Sequence, residues 1–534
     1  MSLTLYDTRR RALVPFQPQQ AGKVTIYNCG PTVYSESHIG NFRSFLFADL
    51  LRRYFEWRGA SVTQIMNITD VGHLTEDDRA DAGGEDKLQK KARELGWDPY
   101  RLARHFEERF HEDRRALGIQ DAHVYPRATE HIREMLVQIQ SLLDRGHAYL
   151  PEGSGEVYYD IGTFADYGKL SGKTLEDLRA GARVEVNELQ RNPADFALWK
   201  LDAAHLMQWD PHSDELWQGY LGERPKLDPR IGKGFPGWHI ECSAMSERYL
   251  GTAFDLHTGG EDNIFPHHEC EIAQAQGASD GEFARHWMHA RHLLVNGAKM
   301  AKSAGTLYRL ADIVALGYRP VELRYLLLSN HYRQPMNFTL DGLVAARSSV
   351  QRLQNARTAL SERAGGAAPT TSPAASAAFT ATSAAVAERI RVFERDFGAG
   401  LDDDLNISNA LAALFAFVAD CHRLEPGPGD AAQLLQAFDR ADHVLNVSRG
   451  DASKAGLIKK SELEQGDAGK LDAPALAALL ARELSAEAVR EIARARHQAR
   501  RQKDWATADA IRNHLQNAGV QFEDTPEGVR FKLP

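Results

Sequence analysis

Between residues 20 and 70 the apolar positions change period twice. Val24 to Tyr27 is a short β-branched and aromatic run, closed by the turn cluster Asn28-Cys29-Gly30-Pro31. From Asn41 the apolar groups fall at Phe42, Phe45, Leu46, Leu50 and Tyr54, a helical stripe that stops at Gly59. Ser61 to Ile68 returns to strand character. Strand, helix and strand at this spacing predict a βαβ unit on a parallel sheet, the start of an α/β nucleotide-binding fold of the Rossmann type.

The pattern loosens after residue 120. A helical stretch over 127–145 leads into turn-rich, aromatic sequence (EVYYDIGTFADYGKLSG). This reads as an insertion, residues 121–225, between a first catalytic half (1–120) and a second (226–320). Sheet-like patterning is expected to resume from Phe235 to His257 and to continue to Ser303. The chain then turns helical, giving an expected bundle over 321–448. That bundle is interrupted by the low-complexity stretch 365–383, and a second loose stretch covers 449–471. A small terminal domain, 466–534, carries a basic helix and ends in an expected hairpin, Val520 to Leu533. No internal repeat is visible.

Composition narrows the class without deciding the function. The chain has 534 residues, a net charge of −9, 43% hydrophobic and 26% charged positions, so it is globular and multidomain. An acidic total still allows local basic patches. Arg9-Arg10-Arg11 precedes Pro15 with no apolar core between them, so no signal peptide is expected. No apolar run has the length of a membrane span, and no membrane partner is expected. Four cysteines exclude a disulfide scaffold and point to a reducing, cytoplasmic compartment.

Four constellations carry chemistry. His38-Ile39-Gly40-Asn41 sits where the first helix begins. Unpaired backbone N–H groups and a positive dipole end favour phosphate there. Gly40 permits close approach, and His38 and Asn41 can donate hydrogen bonds. Asn41 could equally be a plain capping residue. Lys299-Met300-Ala301-Lys302-Ser303 places two lysines three apart on a loop flanked by glycine, suited to holding polyphosphate. A possible metal site combines Cys29, Cys242 and the segment His267-His268-Glu269-Cys270-Glu271. His267 and Glu271 are one helical turn apart and share a face. With the two cysteines they make an S₂NO set suited to tetrahedral zinc. His268 and Cys270 remain rival ligands on spacing alone.

The fourth constellation is the basic helix. Residues 490–503 hold six Lys/Arg and one Glu. Arg490, Arg494 and His497 fall on one side, and Arg496, Arg500 and Lys503 on another. Phosphate contact is one reading of this helix, and a solvated charged face is the other.

Taken in order, NCGPTVYSESHIGN (28–41), NITDVGHLTEDD (67–78), DYGKLSG (166–172), GWHIECSAM (237–245), FPHHECEIAQ (265–274), KMAKS (299–303), LDDDLN (401–406), KDWATADAIRN and EDTPEGVRFK resemble the cysteinyl-tRNA synthetases, a class I aminoacyl-tRNA synthetase family. The resemblance implies an enzyme that activates L-cysteine with ATP to cysteinyl-adenylate and transfers it to the 2′-hydroxyl at the 3′ end of its tRNA. It implies zinc, one per chain, on Cys29, Cys242, His267 and Glu271, and Mg²⁺ with ATP. It assigns His38, Asn41, Lys299 and Lys302 to catalysis. ATP binding falls to His38, Gly40, Asn41, Asp262 and Lys302, and substrate contact to Trp238 and His257. Arg494, Arg496, Arg500 and Arg501 are the expected tRNA contacts, and a monomer the expected assembly. Asn41, Ala301 and Cys270 depart from the common family residues, and 211–231 is a longer excursion than usual.

Zinc would answer a selectivity problem. Serine and cysteine are nearly isosteric, and an ordinary pocket separates such pairs by only ~1–3 kcal/mol. A related cysteine ligase acting on an amino sugar, of the mycothiol ligase type, would share these motifs but lack residues 346–534. A non-catalytic zinc- and RNA-binding relative would not need His38, Lys299 and Lys302.

Overall fold

The βαβ unit forms as its periodicity predicts. Strand β1 (Lys23–Asn28) leads into helix α1 (Ile39–Trp57) and strand β2 (Ser61–Met66), and β1 and β2 pair in parallel from Lys23↔Ser61 to Asn28↔Met66. Phe42, Leu46, Leu51 and Tyr54 on α1 are buried, because the stripe faces the sheet. The sheet is completed some 200 residues later by helix α2 (Trp238–Leu250), strand β3 (Ala253–Gly260), helix α3 (Glu269–Ala278) and strand β4 (Phe283–Ala290). All pairs are parallel, in the order β4-β3-β1-β2. The strand order reverses between β1 and β3, so a crevice opens beyond their carboxyl ends. This computed structural model describes residues 3–76, 83–174, 188–300, 306–365, 383–448, 455–459, 463, 476–477, 480, 486–525 and 528–532.

Two sequence expectations need correction. Residues 235–257 are not continuous sheet: only Phe235–Pro236 is extended before α2 begins. The helix is buried over most of its length, including His239, Glu241, Cys242 and Ser243. A helix embedded on all sides loses the apolar stripe that would have announced it. The stretch 449–471 is not uniformly loose, since Ala455–Lys459 pairs antiparallel with Gly528–Lys532.

The inserted region contains a helix, Ile132–Asp144, and a four-stranded antiparallel sheet built from Ala148–Tyr149, Val157–Tyr159, Phe196–Lys200 and Phe235–Pro236. Its last strand runs directly into α2. The helical part comprises Pro320–Leu328, Leu340–Arg363, Ala384–Asp402, Ile407–Leu424 and Pro428–Leu445. Arg324 ties it to the nucleotide fold: its guanidinium meets Asp49 of α1 at 2.6 Å, with both side chains buried. Ile407–Leu424 has the length and apolar composition of a membrane span, with mean hydropathy 1.2. Its Leu414 and Phe417 are buried, and Phe417 stacks on Phe393 at 4.1 Å.

The chain divides into two compact units, Met1–Asn446 and Val447–Pro534. The second has its own core, with Ile458, Val489, Ile492, Ile511, Leu515 and Phe531 buried together. Its basic helix α4 (Ala486–Arg501) is followed by α5 (Trp505–Asn517) and by the expected hairpin, Gln521–Thr525 with Gly528–Lys532.

Candidate active site

A cavity of about 380 Å³ lies at the carboxyl ends of β1 and β3. Its lining includes Cys29, His38, Gly40, Asn41, Trp238, Cys242, Asp262, His267 and Met300, so the fold gathers residues that lie far apart in sequence. One end holds the α1 N-terminus, and the other holds cysteine and histidine.

At the α1 end, His38 and Asn41 cap each other. The His38 amide donates to Asn41 Oδ1 at 3.0 Å, and the Asn41 amide donates to His38 Nδ1 at 3.2 Å. With Nδ1 an acceptor, a neutral His38 ring carries its proton on Nε2. Burial lowers the His38 pKa, which favours that neutral donor. Capping and function therefore coexist in this motif. Gly40 has a steric reason as well: a Cβ there would lie 2.4 Å from Met300 Cε and 3.0 Å from His38 Nδ1.

The chain that follows the lysine motif packs at this end. The Ile39 amide donates to the Tyr308 carbonyl at 2.9 Å, and Arg309 pairs with Glu36 at 2.8 Å. Met300 thereby reaches the cavity wall. Lys299 ends a short strand, Ala298–Lys299. Lys302 and Ala301 lie outside the described residues. Asp262 sits on a single turn after β3, in the cavity lining.

At the other end, Cys29, Cys242, His267 and Glu271 are all buried and can each bring one ligand atom within 4.8 Å of the others. His267 Nε2 lies 3.0 Å from Glu271 Oε1, as their i, i+4 spacing predicts. Cys29 Sγ lies 3.8 Å from the same oxygen. Tetrahedral zinc bonds of about 2.0–2.3 Å require ligand separations of roughly 3.3–3.8 Å, so the quartet suits such an ion after small side-chain adjustments. Without a metal the four groups divide: electrostatics favours the ionised Cys242 and Glu271, and the protonated Cys29 and His267. Burial would raise the Cys242 pKa, but hydrogen bonding with Cys29 and the nearby His267 bring it down to about 6. Burial and that same partner push Cys29 up. Burial would lower His267, but Glu271 and Cys242 hold it up to about 10. Burial would raise Glu271, but His257 and His267 pull it down to about 2.

The rival ligands separate in three dimensions. Cys270 Sγ meets the Tyr167 hydroxyl at 3.3 Å and belongs to neither group of clustered ligand atoms. His268 is closer: its Nε2 is 3.1 Å from Cys29 Sγ, and Cys29, His257, His268 and Glu271 form a second possible quartet. His268 Nδ1 faces His289 at 2.8 Å. Cys29, Cys242 and His267 line the cavity, whereas His257 and His268 do not. Only the first quartet therefore presents several ligands to an incoming molecule.

His257 lies deeper than the cavity wall. It was expected to touch substrate, yet its fully buried ring lies behind Glu271, with Nε2 2.8 Å from Oε2, and stacks on Trp287. It orients a carboxylate. Trp238, by contrast, is half-buried in the cavity wall. Arg496, an expected tRNA contact, faces inward within the terminal unit. It is buried, its guanidinium holds Asp524 at 2.8 and 3.0 Å, and it braces the hairpin against α4. Arg500 shares Asp524 while remaining exposed, and Arg501 is exposed. Arg494 is half-buried. Sequence reasoning missed His239, whose Nδ1 lies 3.1 Å from His267 Nδ1, and the pair His268 and His289. A histidine count alone carries no signal for such contacts.

Comparison with known proteins places this geometry. The model of the tRNA synthetases class I (C) catalytic domain matches residues 15–215 and 210–348. A cysteine–tRNA ligase of Thermus thermophilus is 43% identical over 534 residues, covering 100% of both chains. One from Heliobacterium modesticaldum is 38% identical over 540 residues, again covering 100% of both. Among solved structures, methionyl-tRNA synthetase of Mycobacterium tuberculosis bound by methionyl-adenylate superposes with a TM-score of 0.51 at 14% identity, covering 80% of this chain and 90% of that one.

Proposed function

Because the chain belongs to the cysteine–tRNA ligase family of class I aminoacyl-tRNA synthetases, we propose that its cavity is where L-cysteine meets ATP, with Cys29, Cys242, His267 and Glu271 holding zinc at the amino-acid end. The activity is that of an aminoacyl-tRNA synthetase: cysteine and ATP give cysteinyl-adenylate and pyrophosphate, and the cysteinyl group then passes to tRNA. The observation that carries the assignment of the site is the buried quartet, three of whose members border the same cavity as the α1 N-terminus.

Zinc bound there would offer a soft Lewis acid that favours a thiolate over a serine hydroxyl. The protein supplies the rest. The α1 N-terminus, with Gly40 leaving room, receives the phosphates. His38 donates through Nε2 and Asn41 through its side-chain Nδ2 to oxygens that gain charge as the α-phosphate is attacked. Lys299 and Lys302 supply positive charge, and Asp262 accepts from the ribose. Mg²⁺ accompanies ATP. Attack by the substrate carboxylate needs no protein nucleophile. It needs the reacting atoms held in line in a site that excludes water.

The full-length match includes residues 346–534, which an amino-sugar ligase would not require. In this reading the helical region and the terminal unit carry the tRNA, with Arg494, Arg500 and Arg501 as phosphate contacts, and the enzyme works as a cytoplasmic monomer.

Cysteine-dependent exchange of pyrophosphate into ATP, followed by charging of cysteine tRNA, tests the proposal. Lys302→Ala should slow exchange by orders of magnitude while cysteine binding survives, since its charge acts chiefly in the transition state. Removal of the whole terminal unit, residues 447–534, should leave exchange intact and weaken charging in a salt-dependent way. Exchange that does not depend on cysteine would refute the reading.

A further inference from the structure

Beside the metal quartet lies a residue that neither the metal nor the nucleotide reading uses. His73 follows Gly72, whose φ of +75° belongs to the left-handed region. A Cβ on Gly72 would lie 2.7 Å from the Pro236 carbonyl oxygen. The turn is therefore pressed against the chain two residues before Trp238, and this sets the His73 ring on the indole. The two rings are stacked, with centroids 4.2 Å apart and planes at 11°. The opposite face of Trp238 stacks on His267, again at 4.2 Å, with planes at 22°. The indole thus lies between two imidazoles, one of them a member of the quartet.

His73 is itself held at both ring nitrogens. Lys87 Nζ lies 3.1 Å from Nε2, and Thr32 Oγ1 lies 2.9 Å from Nδ1. An ammonium group only donates, so Nε2 accepts and Nδ1–H is left to donate to Thr32. Thr32 is fixed in turn, because the loop after β1 pairs with the loop after β2 at Thr32↔Thr69. His73, Lys87 and Trp238 line the same cavity as Cys242 and His267.

We propose that His73 is a positioning residue for amino-acid recognition: it clamps Trp238 against His267, so that the indole forms a fixed wall of the cysteine pocket. The proposal rests on placing cysteine at the metal end of the cavity. Without the His73 ring, Trp238 keeps one stacking partner and gains freedom to turn away. The pocket then fits a small thiol less closely and admits a longer one more readily.

The test uses the zinc-loaded full chain in pyrophosphate exchange, with cysteine and with homocysteine, which is one methylene longer. One aromatic pair corresponds to about a threefold to tenfold change in binding. His73→Ala should raise the KM for cysteine by that factor, leave the KM for ATP unchanged, and reduce the preference for cysteine over homocysteine. His73→Phe keeps the slab and loses both ring nitrogens, and it should restore the cysteine KM. His73→Gln keeps a polar group without a slab, and it should behave as alanine does. With 5-fluorotryptophan incorporated, the Trp238 resonance, assigned through Trp238→Phe, should shift in His73→Ala and return toward its original position in His73→Phe. An unchanged cysteine KM in His73→Ala, rescue by glutamine but not phenylalanine, or an equal rise in both KM values would each overturn the proposal. An unmodified enzyme whose exchange ignores cysteine would instead refute the underlying assignment of the pocket.

Discussion

His257 holds Glu271 through a 2.8 Å contact between Nε2 and Oε2, while the other carboxylate oxygen faces His267 and Cys29. One oxygen is thus oriented by an imidazole and the other is left for a metal. Partners of this kind typically change metal affinity about 10- to 100-fold. His257→Leu should lower zinc affinity by that order in a chelator competition, with the fold retained. Unchanged affinity would mean that Glu271 needs no such support.

Cys242→Ser should lose most of the bound zinc, because a neutral hydroxyl replaces a thiolate in the quartet. Cys270→Ala should keep it, since that sulfur faces the Tyr167 hydroxyl. Metal analysis of the two purified variants decides between them. Retention by the first and loss by the second would reverse the assignment.

Gly40→Ala should raise the KM for ATP by about tenfold, the order expected of overpacking in a tight site. Its methyl would meet both Met300 Cε and the His38 ring. Because Met300 is the flexible member, adding Met300→Ala should recover part of the loss, and a double-mutant cycle in pyrophosphate exchange measures the coupling. Additive effects would contradict this packing.

Arg324→Met should destabilise the larger unit by less than the ~3–5 kcal/mol that stranding a buried charge costs, because Arg53 stays paired with Asp49. Asp49 is fully buried, and its Oδ2 meets both Arg324 at 2.6 Å and Arg53 at 2.8 Å. Burial would raise the Asp49 pKa, yet these two arginines hold it below the ordinary value. Denaturant unfolding of the variant gives the figure. A paired Asp49→Asn, Arg324→Met variant should recover part of the loss.

Arg496 and Arg501 should part company. Arg496→Ala should lower the melting temperature of the terminal unit, because it breaks the contact with Asp524. Arg501→Ala should leave melting alone and weaken tRNA binding with a smaller salt slope. Hydrogen bonding to Arg496 lowers the Asp524 pKa. A depressed carboxylate contributes its stability above the unfolded value of about 3.9 and loses it as the pH falls through the folded pKa. The difference in melting between the parent and Arg496→Ala should therefore be full at neutral pH and shrink below about pH 4.

How much was legible depended on whether the signal was local. The α1 stripe and the helix over 132–144 could be read because their apolar groups keep the helical period, and the terminal hairpin because two strand-like runs flank a turn. Helix α2 could not, because His239, Glu241, Cys242 and Ser243 are buried along with its apolar residues. The sequence by itself determined the βαβ start, the capping motif at His38 and Asn41, and the shared helical face of His267 and Glu271, all consequences of backbone period. Only the tertiary structure decided which cysteines join that face, that His257 stands behind the ligands, that Arg496 turns inward, and that His73 stacks on Trp238. The choice of cysteines depends on strands β1 and β3 lying side by side across more than 200 residues of chain, whereas Arg496 meets Asp524 within the terminal unit. Periodicity fixes which way a side chain points from its own element, but not which distant element it will meet.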